Sequence, residues 1–281
     1  MALIHPTTMG SGCSKTRPPT FVETKTTAIP RIPPEIIDEI LGHLITDSAA
    51  ASLRSCSLVS RSWVPPCQRH IFRTVVFASN DVDRWFKTFP VPEESPARHV
   101  RDLRIWIGGH TRVPEKIFEC TPWFTNMRNL YLLGYWGSPA LRIPSVWRLP
   151  LSVTSLTVNT NVVTLIQIRD ILAQLPNLND LSLSGSLVPV GAKSLVGIGV
   201  ALKARFDGRL QLCGGYAQKD AINMLLEIPT GLHFTEAQIR CTHKCLPSAV
   251  RLAEACGETL VKLTQTVTFQ LEGRCHHFSQ S

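Results

Sequence analysis

Two hydrophobic periods divide the chain. Between residues 34 and 45 the apolar positions Ile36, Ile37, Ile40, Leu41, Leu44 and Ile45 recur at the spacing that places side chains along one side of an α-helix. The stripe is too wide for a single small contact, so this helix needs partners on two sides. Pro33 and Pro34 stand at its start, where the missing N–H of proline has no partner to lose, and Glu35 and Asp38 follow near the positive end of the helix dipole. Leu53, Cys56, Val59 and Trp63 predict a second short helix, capped by Asp47 or Ser48. A stretch of about 45 residues buries little core alone and commonly keeps an apolar face that another protein completes.

Further along, the period shortens to two. Phe72 to Phe77 reads as a short strand, 81–89 as a helix and 90–96 as a loop. From about residue 100, apolar residues two apart recur in Leu103-Arg104-Ile105, Leu130-Tyr131-Leu132, Leu156-Thr157-Val158, Leu181-Ser182-Leu183 and Leu210-Gln211-Leu212, and more weakly in Leu232-His233-Phe234 and from Leu260 to Leu263. Successive segments lie 22 to 29 residues apart, the range of leucine-rich repeats, in which a strand and a returning helix or loop bury their apolar face only by stacking on neighbours. The returning segments carry helical spacing at 162–175, 220–228 and 247–255. The predicted fold class is therefore α/β, a helical N-terminal module followed by a solenoid of short parallel strands and helices.

Composition narrows the function classes. Of 281 residues, 44% are apolar and 18% charged, enough for one small module and one sizeable domain. Residues 1–28, rich in Thr, Ser, Gly and Pro, read as a flexible tail. The domain plan is then a tail at 1–28, the helical module at 29–76, a connecting segment at 77–99 and the repeat region at 100–281. The net charge of +8 raises nucleic acid as a partner, but the basic residues are spread singly, with local clusters only at Arg98, Arg101 and Arg104 and at Lys203, Arg205 and Arg209, and nucleic acid is not expected. Nine irregularly spaced cysteines read as reduced intracellular thiols. The start lacks the pattern of a signal peptide, and the most apolar region, 187–202, is broken by Pro189 and Lys193, so no membrane span is expected. The expected compartment is cytoplasm or nucleus.

Candidate chemistry is sparse. Gly197 and Gly199 lack the third glycine and the acidic residue of a dinucleotide loop. Cys241, His243 and Cys245, with Cys275, His276 and His277, lack the paired spacing of a zinc finger. No serine sits in a nucleophile elbow, Cys56 reads as a core thiol and His43 as a solvated or interface residue. No catalytic residue, cofactor or metal is predicted.

The order of residues in the module resembles a known family. Ile32-Pro33-Pro34-Glu35-Ile36, then Ile40-Leu41, Leu53, Cys56, Ser57-Leu58-Val59-Ser60-Arg61 and Trp63 resemble the F-box, written Leu-Pro-x-Glu-Ile, Ile-Leu, Cys-x-Leu-Val-Ser-Arg-x-Trp. Ile32 stands where leucine is usual, and Pro66 follows Pro65 where the family continues a helix. The resemblance implies a three-helix module that docks on the Skp1 adaptor, and through it on the cullin, of a ubiquitin ligase. The residues it nominates for that contact are Ile32, Pro33, Pro34, Glu35, Ile36, Ile40, Leu41, Leu44, Leu58, Val59 and Trp63, some of which must serve the module's own core. The stretch from Leu175 to Leu183 similarly resembles the irregular leucine-rich repeats that follow the F-box in many fungal proteins, with units of the form Leu-Pro-x-Leu-x-x-Leu-x-Leu. Together these imply a non-catalytic substrate receptor whose repeats hold a target protein. The alternatives are an interaction scaffold outside any ligase, its module packed only on its own repeats, and an enzyme of unassigned type.

Overall fold

A computed structural model describes residues 32–44, 49–78, 81–107, 116–134, 144, 147–159, 163–185, 206–214, 218–228, 232–271 and 274–280. The tail at 1–28, the capping residues Asp47 and Ser48, the apolar region at 187–202 and the Gly197 and Gly199 pair lie outside them.

Three helices open the described chain: α1 (Pro34–His43), α2 (Ala49–Ser57) and α3 (Val64–Ile71). Helix α1 begins directly on Pro34, with Pro33 extended before it. The pair Pro65 and Pro66 does not interrupt a helix, because α3 starts at Val64 and both prolines fall in its first turn, where N–H groups have no intrahelical acceptor. A short 3₁₀ turn, Arg61–Trp63, precedes it, capped by Ser60, whose hydroxyl accepts from the Ser62 N–H at 3.3 Å. The helices close around Ile37, Leu41, Leu53 and Cys67, with Leu44, Cys56, Trp63 and Ile71 packed at the margin. Arg69 on α3 donates to both carboxylate oxygens of Asp38 on α1, at 3.0 and 3.1 Å. Both partners are exposed, so this bridge is worth no more than about 1 kcal/mol.

The chain then enters one sheet: β1 (Thr74–Phe77), β2 (Asp102–Ile107), β3 (Asn129–Gly134), β4 (Ser155–Asn159), β5 (Asp180–Ser184), β6 (Phe206–Cys213), β7 (Leu232–Thr242), β8 (Lys262–Leu271) and β9 (Arg274–Gln280). The strands stand in chain order. The first eight pair in parallel, and β9 returns antiparallel on β8. Parallel neighbours need crossovers of one hand, and a chain that always steps the same way lays every crossover on the same side of the sheet. Helices α4 (Asp81–Thr88), α5 (Lys116–Cys120), α6 (Leu165–Leu172), α7 (Gln218–Leu226) and α8 (Leu246–Ala255) lie in the crossovers that leave β1, β2, β4, β6 and β7. In α6, Thr164 and Gln167 form a reciprocal capping box.

Strand alternation divides the sheet into a covered and an open face. Register aligns Val75, Leu103, Leu130, Leu156, Leu181, Leu210 and Ala237 in one inward row and Phe77, Ile105, Leu132, Val158, Leu183, Leu212 and Ile239 in the next. All of these are buried with the helices in a single core. Each leucine withdrawn from water there contributes on the order of 2 kcal/mol. The Leu175-Pro176-Asn177-Leu178 turn feeds the same core with Leu175 and Leu178, and the Asn177 side-chain amide donates to the Leu151 carbonyl at 2.9 Å.

Two readings from sequence change here. Strand β1 pairs with β2, and Val75, Phe77, Val82, Trp85 and Ala97 belong to the large core, so residues 74–99 are part of the sheet domain and the helical module closes near Ile71. The weak unit Leu232-His233-Phe234 is not the register partner of Leu210 to Leu212. A bulge at Gly208 and Arg209 shifts the pairing, and Ala237-Gln238-Ile239 takes that place. Alanine at the first position hid this unit, while Leu232 and Phe234 mimicked it. Gly208 has a φ of 98°, and a Cβ there would overlap the Asn179 carbonyl oxygen, so this bend requires glycine.

Candidate interaction surfaces

The nominated residues of the module divide between its surface and its core. Ile36 and Ile40, one turn apart on α1, are 45% and 39% exposed, Ile32, just before the helix, is 47% exposed, and Leu58 and Val59, in the turn after α2, are 86% and 69% exposed. Pro33, Pro34 and Glu35 are exposed beside them. Leu41 is wholly buried, and Leu44 and Trp63 are half-buried against the module core. The wide stripe read from sequence is thus split: Ile37 and Leu41 face inward, and Ile36 and Ile40 face water. Among the described residues, few large apolar side chains elsewhere are exposed, and Val91, Leu151, Val250 and Val261 lie on separate elements.

The open face of the sheet is a second surface. Its central row runs Val76, Arg104, Tyr131, Thr157, Ser182, Gln211 and Gln238 across seven strands. The Arg104 guanidinium lies 5.1 Å from the centre of the Tyr131 ring, and Ser182 donates to the Gln211 side-chain oxygen at 3.3 Å. Toward the strand starts, Arg209 bridges Asp180 on one neighbour and Glu236 on the other, at 3.8 and 3.6 Å. A polar, hydrogen-bonding face of this kind can read another protein's surface without a deep pocket.

The third surface is a cleft of about 560 Å³ where the module meets the starts of the first strands. Every residue that lines it is polar or charged. Arg73, Arg101 and Arg128 immediately precede β1, β2 and β3. Each presents its carbonyl to the next unit in the same way: Arg73 accepts from the N–H groups of Arg101 and Asp102, Arg101 from those of Arg128 and Asn129, and Arg128 from those of Thr154 and Ser155, all at 2.8 to 3.0 Å. Helix α3 adds Arg69 and His70, and the turn before β2 adds Arg98 and His99. Burial lowers the pKa of both histidines. At His70 this is opposed by Asp38 and reinforced by Arg69, Arg73 and Arg101; at His99 it is reinforced by Arg98 and Arg69. The Arg98 Nε–H points at His99 Nε2 at 3.4 Å, which requires that nitrogen to be unprotonated. Sequence reading missed this group because it looked for basic residues close in the chain. The available signal was an arginine two positions before the first inward residue of three successive units, Arg73 before Val75, Arg101 before Leu103 and Arg128 before Leu130.

Candidate chemistry elsewhere is placed as follows. Cys241 and Cys245 are buried, and Thr242 donates to the Cys245 sulfur at 3.5 Å. Burial raises the pKa of Cys241 and pushes that of Cys120 up to about 12, which keeps these thiols protonated and poor as nucleophiles or ligands. Cys56 packs against the module core and His43 is exposed. Among the described residues no three His, Cys, Asp or Glu side chains converge as metal ligands, and no described helix is long and apolar enough to cross a membrane. No protein-family model matches the chain, and no curated protein matches it.

Proposed function

We propose that this chain is the substrate-receptor subunit of a Skp1–cullin–F-box type ubiquitin ligase, its helical module docking on Skp1 and its open sheet face holding a target protein. The observation that carries the reading is the division of α1. A helix that already buries Ile37 and Leu41 keeps Ile36 and Ile40 exposed on successive turns, and Ile32 is exposed in the extended residues just before it, at positions that resemble the F-box pattern. Leaving three isoleucines exposed forgoes several kcal/mol of burial, a sum recovered when a partner covers them.

The strands support the second half of the reading. Parallel strands in chain order and in register are compatible with the irregular leucine-rich-repeat solenoid we propose, an architecture whose extended surface suits a protein target. The chain itself supplies position: holding target and recruited conjugating enzyme in one assembly makes transfer behave as an intramolecular step carried out by the partners. The test is co-purification of tagged full-length protein with co-expressed Skp1, compared with an Ile36→Asp, Ile40→Asp double variant. Recovery by the natural chain and loss by the variant, with both equally folded by circular dichroism, is the expected result. Failure of the natural chain to recover Skp1 ends the adaptor reading. Leu41→Asp is unsuitable for this purpose, because Leu41 is a core residue and its replacement destroys the module whether or not a partner exists.

A further inference from the structure

We infer that the arginine-lined cleft between α3 and the strand starts binds a compact anion carrying two or more phosphate groups. The inference stands on the cleft alone and does not depend on the adaptor reading. Five arginines, Arg69, Arg73, Arg98, Arg101 and Arg128, line this cleft with a single carboxylate, Asp38, which is already engaged by Arg69. Among the described residues no carboxylate lies within ion-pair distance of the other four. Parallel register sets Arg73, Arg101 and Arg128 on adjacent strand starts, about 4.8 Å from one to the next. Their side chains line one cleft, where like charges repel one another until an anion is shared among them.

The chemistry of the lining selects the anion. Guanidinium groups match the tetrahedral oxygens of phosphate with paired N–H donors. Two further lining residues hold the turns that carry them: the Asn126 amide donates to the Arg98 carbonyl at 2.7 Å, and the Ser152 hydroxyl to the Met127 carbonyl at 2.7 Å. The volume suits a small molecule. With no apolar residue in the lining, the cleft has nowhere to hold the side chains that flank a phosphorylated residue in a polypeptide, and this favours a free polyphosphorylated anion over a phosphopeptide. Bound there, the anion touches α3 of the module and the strand starts of the sheet domain together, so it clamps the one to the other. His70 and His99, neutral beside the arginines, gain a proton more readily next to the anion, and binding tightens as pH falls toward 6. The charges facing them are those already named: Asp38, Arg69, Arg73 and Arg101 for His70, and Arg98 and Arg69 for His99.

The test is calorimetric titration of full-length protein with inorganic tripolyphosphate in about 0.15 M salt, near the ionic strength at which long-range attraction is screened. Saturable binding is expected, with the Arg101→Gln, Arg128→Gln double variant weaker by about 100-fold and Arg251→Gln, exposed on α8, unchanged. Mass spectrometry after phenylglyoxal treatment of the natural chain provides a readout that needs no variant: tripolyphosphate should protect Arg73, Arg101 and Arg128 from modification and leave Arg251 reactive. Absence of saturable binding, equal loss in the Arg251 variant, or equal protection of all arginines overturns the proposal. So does a phosphoserine peptide that binds more than about 10-fold tighter than tripolyphosphate, an outcome that assigns the cleft to a phosphorylated polypeptide.

Discussion

The helical module and the sheet domain use apolar residues in opposite ways. Among the described residues, the sheet domain buries two complete rows of apolar side chains from β1 to β7 against its helices, and its exposed ones, such as Val91, Leu151 and Val250, are scattered. Among the described residues, the module closes around Ile37, Leu41, Leu53 and Cys67 and keeps Ile32, Ile36, Ile40, Leu58 and Val59 exposed. A repeat unit always finds its partner in the next unit, so its apolar face is satisfied within the chain. A lone three-helix module has no such neighbour, and the apolar surface it cannot use internally is what it can offer to another protein.

Substitutions sharpen this contrast, beginning with the largest effect. Leu156→Ala in the middle of the inward row should cost about 3 to 4 kcal/mol in chemical denaturation and lower the stability of the sheet domain as a unit. Gly208→Ala should cost about 2 to 3 kcal/mol, since it combines a positive φ with a clash against the Asn179 backbone. Leu41→Ala should cost about 2 kcal/mol, with hydrogen exchange accelerated in α1 to α3 while β2 to β5 keep their protection. Equal acceleration in both regions would remove the contrast, because module and sheet would then share one cooperative unit. Ile36→Asp and Ile40→Asp should change the unfolding midpoint by less than about 0.5 kcal/mol each. A large loss there would mean that these isoleucines serve the internal fold after all.

The smallest expected effect concerns pH and lies at the boundary between the regions. His70 and His99 have pKa values below the ordinary 6.5 in the fold, so the unfolded chain binds more protons as pH passes downward through that value. The stability contributed by keeping them neutral is present above it and is lost on acidification. Thermal unfolding at constant ionic strength should therefore show a midpoint that falls between neutral pH and about 5.5, with a smaller fall in a His70→Gln, His99→Gln double variant.

How far the sequence revealed these regions depended on whether a signal was local. Helix α1 was readable from its prolines and its spacing, and α6, α7 and α8 from theirs, because periodicity and capping act over one or two turns. The strands at Leu103, Leu130, Leu156, Leu181 and Leu210 were readable for the same reason. Ala237-Gln238-Ile239 was not, since what makes it a repeat unit is its pairing across a bulge with β6. Nor could the stripe on α1 be divided in advance: Ile36 and Leu41 look alike in sequence, and only the placement of α2 and α3 buries one and exposes the other.

By itself, then, the sequence determined the alternation of elements, the α/β class and the identity of the apolar residues available for a core, since these follow from local spacing and side-chain chemistry. The tertiary structure decided which of them face water and which cations share a space. Arg98, Arg101 and Arg104 are neighbours in the chain, yet Arg104 turns to the open face above Tyr131 while Arg98 and Arg101 join Arg69, Arg73 and Arg128 in the cleft. Parallel register brings residues 27 or 28 positions apart to one strand spacing from each other, and strand alternation sends residues three apart to different surfaces. Charge read along the chain therefore said little about charge in space.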